Sequence, residues 1–229
     1  MARSSRSPER VAEPEWLDEL PPQDRRAVRS RGDLRRINTL MGNARCIARH
    51  LSGRKIADLG AGDGSVMLSV ARRLQRPGVE LTLVDRSPVV ADSTLRAFSK
   101  FGWAPVVVGE DAFNFLRRKS NCDAIVANLF LHHFDDERLA QLLALAATRA
   151  PLFIACEPRR SRLAVGASRL LGLIGCNDVT RHDALVSVRA GFSGDELSEL
   201  WPKAPGWRLS EGPAWPFSHL FVAQRDGAA

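Results

Sequence analysis

The chain of 229 residues has no tyrosine, three methionines and four cysteines. Without tyrosine, a phenol is excluded as a base or hydrogen-bonding acid. The cysteines, Cys46, Cys122, Cys156 and Cys176, stand far apart, with no Cys-x-x-Cys pair and no histidine at ligand spacing. Neither a disulfide framework nor a zinc site is therefore expected, and no metal ligands are assigned. No run of eighteen apolar residues occurs, and the longest greasy stretch, Leu163 to Gly175, is interrupted by Arg169. A membrane-spanning helix is thus excluded. Met1 to Glu15 is charged and holds no apolar h-region, so no secretory signal is expected. Four free thiols in a chain without an export signal fit a cytoplasmic protein.

What is present is ordinary for a globular protein: 45% hydrophobic and 26% charged residues, in a length that can bury a sizeable core. The formal net charge is +7, and only four of the 33 basic residues are lysine. The excess is local. Residues 1–54 hold twelve arginines against seven acids, whereas the rest holds 21 basic against 19 acidic residues. That distribution reads as a solvated basic tail, with a polyanion-binding arm as the alternative.

Residues 1–20, rich in Ser, Arg, Pro and Glu, read as a flexible basic lead. A single domain is expected over 21–229, with a helical cap at 21–54 and an insertion at 158–192. Within the cap, Leu34, Ile37, Leu40, Met41, Ala44, Ile47, Ala48 and Leu51 recur at helical spacing up to Gly53. Strands are then expected at 56–59, 81–85, 105–108, 123–128 and 152–156, alternating with helices at 64–75, 88–101, 112–118 and 136–149. A helix at 194–201 follows, then strands at 207–210 and 217–223 joined by a tight turn containing Gly212-Pro213. Runs such as Val106-Val107-Val108 and Ala124-Ile125-Val126-Ala127 are continuously apolar, as strands covered on both faces are. The expected fold is α/β, Rossmann-like and doubly wound: a mostly parallel seven-stranded sheet with a C-terminal antiparallel strand and an N-terminal helical extension.

Asp58-Leu59-Gly60-Ala61-Gly62-Asp63-Gly64 lies between the first strand and the first helix of the alternating region. Its glycines permit a tight turn and close backbone approach to a ligand, and the helix that follows offers free N–H groups. Asp85 ends the second strand, and in such a sheet it faces the same crevice, where its carboxylate can accept both hydroxyls of a ribose. The spacing is Gly-x-Gly-x-Gly rather than the dinucleotide Gly-x-Gly-x-x-Gly. Asp58 would repel a pyrophosphate but suits a ligand carrying an ammonium group. The charges favour S-adenosylmethionine (SAM) over a nicotinamide dinucleotide.

The DLGAGDG loop, the acid in LTLVD, the GEDAF segment and the DAIVANLFLHHF strand, in that order, resemble class I SAM-dependent methyltransferases. EPRRSRL (157–163) and DVTRHDALVSVRAGFSGDEL (178–197) are similar to small bacterial methyltransferases of the quinone-biosynthesis and aromatic polyketide type. The resemblance implies that Asp58, Gly60, Ala61 and Gly62 line the methionine part of SAM. It implies that Asp85 binds the ribose and Arg86 flanks the adenine, whose amino edge meets Asp111 and the Ala112 backbone. Asn128 and Leu129 would close over the sulfonium side.

The acceptor must be aligned with the methyl and, if a phenol or acid, deprotonated. His133, just after the fourth strand beside His132, is one candidate base. His182, next to Asp183 in the insertion, is the other. Leu163, Val165, Ala167, Leu170, Leu171, Leu173 and Ile174 form an apolar helix, read as core packing or as a greasy lid. Arg159, Arg160 and Arg162 could hold an acidic acceptor or pair with Glu157 or Asp178. No Asn-Pro-Pro or Asp-Pro-Pro motif follows the fourth strand, and no Pro-Cys nucleophile, carboxylate cluster for Mg²⁺ or Gly-x-Ser-x-Gly elbow occurs. The expected function is methyl transfer from SAM to oxygen or carbon of a small hydrophobic acceptor, phenolic, polyketide-like or quinone-like. The alternatives are an RNA or protein methyltransferase using the basic N-terminus, a nicotinamide-dependent oxidoreductase and a non-catalytic SAM-binding protein. The sequence is silent on oligomeric state.

Overall fold

A computed structural model describes residues 10–11, 13–21, 23–118, 121–214 and 216–227. The apolar runs form strands β1 (Lys55–Leu59), β2 (Val79–Asp85), β3 (Trp103–Gly109), β4 (Ala124–Asn128) and β5 (Leu152–Pro158), followed by β6 (Trp207–Ala214) and β7 (Ser218–Arg225). All seven residues of β5 are buried, as a strand covered on both faces requires. The strands make one sheet in the order β3-β2-β1-β4-β5-β7-β6. The first five are parallel, and β7 inserts antiparallel between β5 and β6. This is the expected seven-stranded Rossmann-like sheet.

Ten α-helices are described: α1 (Trp16–Glu19), α2 (Arg25–Met41), α3 (Asn43–His50), α4 (Ser65–Leu74), α5 (Asp92–Ser99), α6 (Ala112–Arg117), α7 (Asp136–Arg149), α8 (Arg162–Arg169), α9 (Asp178–Ala190) and α10 (Glu196–Leu200). Side-chain caps set several starts. Asp111, Asp135 and Asn177 accept from backbone N–H groups of α6, α7 and α9, satisfying donors that have no partner inside the helix. One core layer joins Ile47 of α3, Met67 and Val70 of α4 and Phe98 of α5 to one face of the sheet. The other joins α6, α7 and Trp201 to the opposite face.

Three local expectations are corrected. The apolar face over residues 34–51 is not one helix. Gly42, at φ +68, breaks it into α2 and α3, its N–H bonding to Asn38 and Thr39 carbonyls; only glycine adopts that turn without cost. The helix expected from Pro88 starts four residues later, because Val89 N–H donates to the Gly62 carbonyl and holds 88–91 across the glycine loop. Gly212 and Pro213 are not in a turn: both lie in β6, opposite Leu220 and His219, and the reversal falls between Ala214 and Ser218.

The lead expected to be flexible over 1–20 is packed in its described part. Asp183 of α9 accepts N–H bonds from Trp16 and Leu17 at 2.9 and 3.0 Å, and Arg10 bonds to the Phe134 carbonyl and to Asp136 at 2.7 and 2.5 Å. Residues 1–9 lie outside the described residues. With α2, α8 and α9, this segment covers the C-terminal ends of the strands. There the chain turns one way from β1 to β2 and the other way to β4, the place where open α/β sheets bind ligands.

Candidate active site

β1 delivers the chain into the glycine loop. Gly60, Gly62 and Gly64 have φ of +70, +55 and +72, left-handed values that a side chain resists. Gly60 also meets the Phe130 ring, which a Cβ would approach to 2.3 Å, whereas a Cβ on Gly62 would meet nothing within 4 Å. Gly60 is therefore needed for packing, and Gly62 leaves open the space beside the loop. Gly60 and Ala61 N–H both donate to the Val84 carbonyl, which ties the loop to the end of β2.

Asp85 completes that tie. One carboxylate oxygen accepts from Gly62 N–H at 2.9 Å and the other from Ser87 N–H at 2.8 Å. The group is held rigidly, with lone pairs left for a ligand hydroxyl. Behind it, Asp58 is 4% exposed and has no hydrogen-bonding partner among the described residues. Burial first, and then the charge of Asp85, push its carboxyl up to about 8.

A cavity of about 850 Å³ opens over the loop. Gly60, Ala61, Gly62, Asp85 and Arg86 line one end, together with Asp111, Ala112, Asn128 and Leu129. Of the residues expected to meet the cofactor, only Asp58 is absent from the lining. Asp111 bonds to Phe113 N–H at 2.9 Å and caps α6. Leu129 adopts φ +50, a strained value for a branched residue, and so turns the chain after β4 back over the glycine loop. Asn128 lines the cavity, but its amide is committed elsewhere. It donates to Asn38 at 3.0 Å and accepts from Asn43 at 2.9 Å, and Ser218 donates to Asn43 at 2.6 Å. This amide cluster fastens α2 and α3 to the sheet. Its members Asn38 and Asn43 carried no sequence signal, because they sit on α2 and α3, whose apolar residues drew the reading.

Residues 56–149 match the family model described as "Methyltransferase domain". Over this stretch the chain is similar to methyltransferase domains. Class I methyltransferase domains take S-adenosylmethionine, and residues of this chain would fit it: a loop left open by Gly62, a fixed carboxylate at Asp85, and at Asp58 a buried acid that a ligand ammonium would draw into its charged form. Solved structures share the fold. An O-methyltransferase family protein from Burkholderia thailandensis is 18% identical, with a TM-score of 0.63, over 89% of this chain and 61% of that one. The plantazolicin methyltransferase BpumL, crystallised with SAH, is 12% identical with a TM-score of 0.63, over 91% and 92%. TnmH is 24% identical with a TM-score of 0.57, over 90% and 60%. The chain thus spans about three fifths of the first and third of these proteins. No curated protein sequence matches it.

The far end of the cavity is built from the N-terminal segment, α2, α8, α9 and the turn after β4. His132 is buried there, its Nδ1 2.8 Å from Glu157 and its Nε2 3.3 Å from Glu15. Burial, the largest influence, lowers its pKa, but the two carboxylates together outweigh it and carry the imidazole up to about 9. Burial would likewise raise Glu15, yet His132 and His133 hold it at about 2. His133 lines the cavity beside them, its Nδ1 3.7 Å from Asp18. Burial, and then the neighbouring His132 imidazolium at a ring separation of 4.3 Å, lower its pKa against the pull of Glu15, Asp18 and Glu157.

His182 lies elsewhere. Its ring stacks on Trp16 at 3.8 Å between centroids, in a separate hollow of about 440 Å³ with Arg169 and Arg181. Asp183 contacts it at 3.0 Å, but that carboxylate already accepts the N–H groups of Trp16 and Leu17. The helix turn points His182 away from the cavity and Asp183 toward it. The apolar helix is likewise divided: Ala167 and Leu171 line the cavity, while Leu163, Leu170, Leu173 and Ile174 are exposed. Glu157 pairs with His132 rather than an arginine, and Arg160 is buried against Glu196 and Ser193. Arg159, Arg160 and Arg162 are all off the cavity lining.

Proposed function

We propose that the protein transfers a methyl group from SAM to oxygen or carbon of a small hydrophobic acceptor, phenolic, polyketide-like or quinone-like. The observation that carries this reading is that one cavity holds both the cofactor-type loop at one end and His133 at the other. Its volume, about 850 Å³, is near the upper end of small-molecule sites, which run to about 1,000 Å³. Leu17, Leu20, Leu34, Ile37, Met41 and Val188 give the acceptor end an apolar wall.

When bound, SAM supplies a methyl already activated by a positive sulfur. Asp85, on the cavity lining, holds the cofactor's polar groups, Asp58 behind it answers the ammonium by charge, and the apolar wall aligns the acceptor and excludes water. His133, neutral at neutral pH, takes the proton of an acceptor hydroxyl as the oxygen gains the methyl. A small-molecule acceptor is favoured over RNA because part of the N-terminal arginine excess is neutralised by acids of the same chain. Arg10 pairs with Asp136, Arg35 with Asp63 and Arg36 with Asp33. The test is incubation of purified protein with SAM and a panel of phenols, quinols and polyketides. A product heavier by one CH₂ supports the reading. Turnover of RNA or protein alone, with strong salt dependence, overturns the acceptor class.

A further inference from the structure

We propose that Glu15, His132 and His133 form a binding site for one divalent transition-metal ion of the zinc type, at the acceptor end of the cavity. One ligand atom from each residue lies within 4.8 Å of the other two, and Glu15 Oε1 to His132 Nε2 is 3.3 Å. Two donors about 2.0–2.2 Å from a tetrahedral zinc ion stand apart by roughly that distance. The residue types also match, since imidazole nitrogen and carboxylate oxygen are the donors this class of ion takes.

The support around the ligands favours an ion over a chance cluster. His132 Nδ1 faces Glu157 at 2.8 Å, and Glu157, fully buried, is fixed by N–H bonds from Phe130 and Leu131, each 3.0 Å. A carboxylate on the far nitrogen fixes the tautomer and aims the lone pair of Nε2 at the site, the outer support that metal-bound histidines have. The Ser187 hydroxyl donates to Glu15, whereas Asp18, 3.7 Å from Nδ1 of His133, is too far for a hydrogen bond. Charge points the same way. Glu15 and Glu157 flank one imidazole, so even a protonated ring leaves one negative charge in a buried cluster. A divalent ion on a neutral ring cancels both carboxylates. All three ligands line the cavity, so open coordination positions face the acceptor.

No spacing in the sequence signals this site, because Glu15 is 117 residues from His132 and only the folded N-terminal segment brings it in. A bound ion takes the lone pair with which His133 would accept a proton, so ion binding and base function exclude each other.

The test uses the full chain without a polyhistidine tag, stripped with chelator, then titrated with Zn²⁺ by calorimetry and with Co²⁺ by visible absorption. One ion per chain is expected, with nitrogen and oxygen ligand-field bands for cobalt. Glu15→Gln should weaken binding on the order of 100-fold or more, since loss of an outer partner alone costs about 10–100-fold. His133→Ala should do the same, and SAM affinity measured on both variants checks that they are folded. The proposal is overturned if no stoichiometric uptake occurs, the cluster then being a proton-bridged triad only, or if both variants bind as the parent does. SAM binding and methyl transfer by the metal-free protein are separate readouts, so failure here leaves the methyl-transfer reading intact.

Discussion

The two ends of the cavity are built in different ways. The cofactor end comes from short neighbouring stretches: the loop after β1, the end of β2 and the cap of α6, bound together by backbone hydrogen bonds such as those of Gly60 and Ala61 to Val84. The acceptor end is assembled from distant side chains, with Glu15 meeting His132 across 117 residues and Asp183 meeting Trp16 across 167. Backbone geometry makes the first end rigid and intolerant of substitution. Side-chain contacts make the second, so single changes there should alter chemistry or local docking more than the fold.

The largest expected effect tests the rigid end. Gly62→Val puts a β-branched residue at φ +55 and its side chain into the open space beside the loop. The left-handed backbone alone costs about 1–2 kcal/mol, and the methyls occupy ligand space. SAM affinity by calorimetry should fall below detection while circular dichroism stays near that of the parent. Retained tight binding would remove the loop from the site.

Next is His133→Ala, at the assembled end. General base catalysis contributes about 10²–10⁴-fold, so kcat for a hydroxyl acceptor should fall by that range with SAM affinity unchanged. Equal kcat would mean that alignment alone suffices. Asp85→Ala follows. It frees the N–H groups of Gly62 and Ser87 and removes a charged acceptor from the ligand, and such bonds are worth about 1.5–3 kcal/mol each. SAM should bind roughly 10- to 100-fold more weakly.

A smaller effect comes from Asp58. Its carboxyl, at about 8 in the cofactor-free protein, is mostly protonated at pH 6 and increasingly charged as the pH rises. An ammonium-bearing ligand prefers the charged form, so SAM affinity should rise several-fold from about pH 6 to 7.5. Asp58→Asn should flatten that rise. Stability runs the opposite way. A carboxyl raised from its ordinary value favours the fold fully below about pH 4 and loses that contribution as pH climbs through 8. Asp58→Asn should thus raise the Tm of the cofactor-free protein at neutral pH while weakening SAM. A lower Tm would mean that the buried carboxylate is stabilised by a partner.

The same contrast explains what could be read in the sequence. The alternation of strands and helices, the glycine loop and Asp85 were legible because each depends on a few adjacent residues with one physical task. Asn128 was legible as a lining residue but not as a cluster member, because Asn38 and Asn43 reach it only after Gly42 breaks the helix. Glu15 was unreadable for the same reason. It lay in a polar, proline-containing lead that looked flexible until Asp183 and Arg10 fastened it down. Pairing between distant polar side chains leaves no local period to detect.

The smallest expected effect separates the two histidines that looked equivalent in sequence. His182 is off the cavity lining, and its ring lies flat on Trp16, 7° from parallel. Removing it takes away one aromatic contact, worth about 0.5–1.5 kcal/mol, and a neighbour of Asp183, while the Trp16 and Leu17 N–H bonds to that carboxylate remain. His182→Ala should therefore lower Tm by a few degrees and leave kcat within about twofold of the parent, the level at which surface changes usually stay. The measurement pairs a thermal melt with initial rates at saturating SAM. A large loss of kcat without a change in Tm would place His182 in the chemistry and overturn its assignment to the separate hollow beside Trp16.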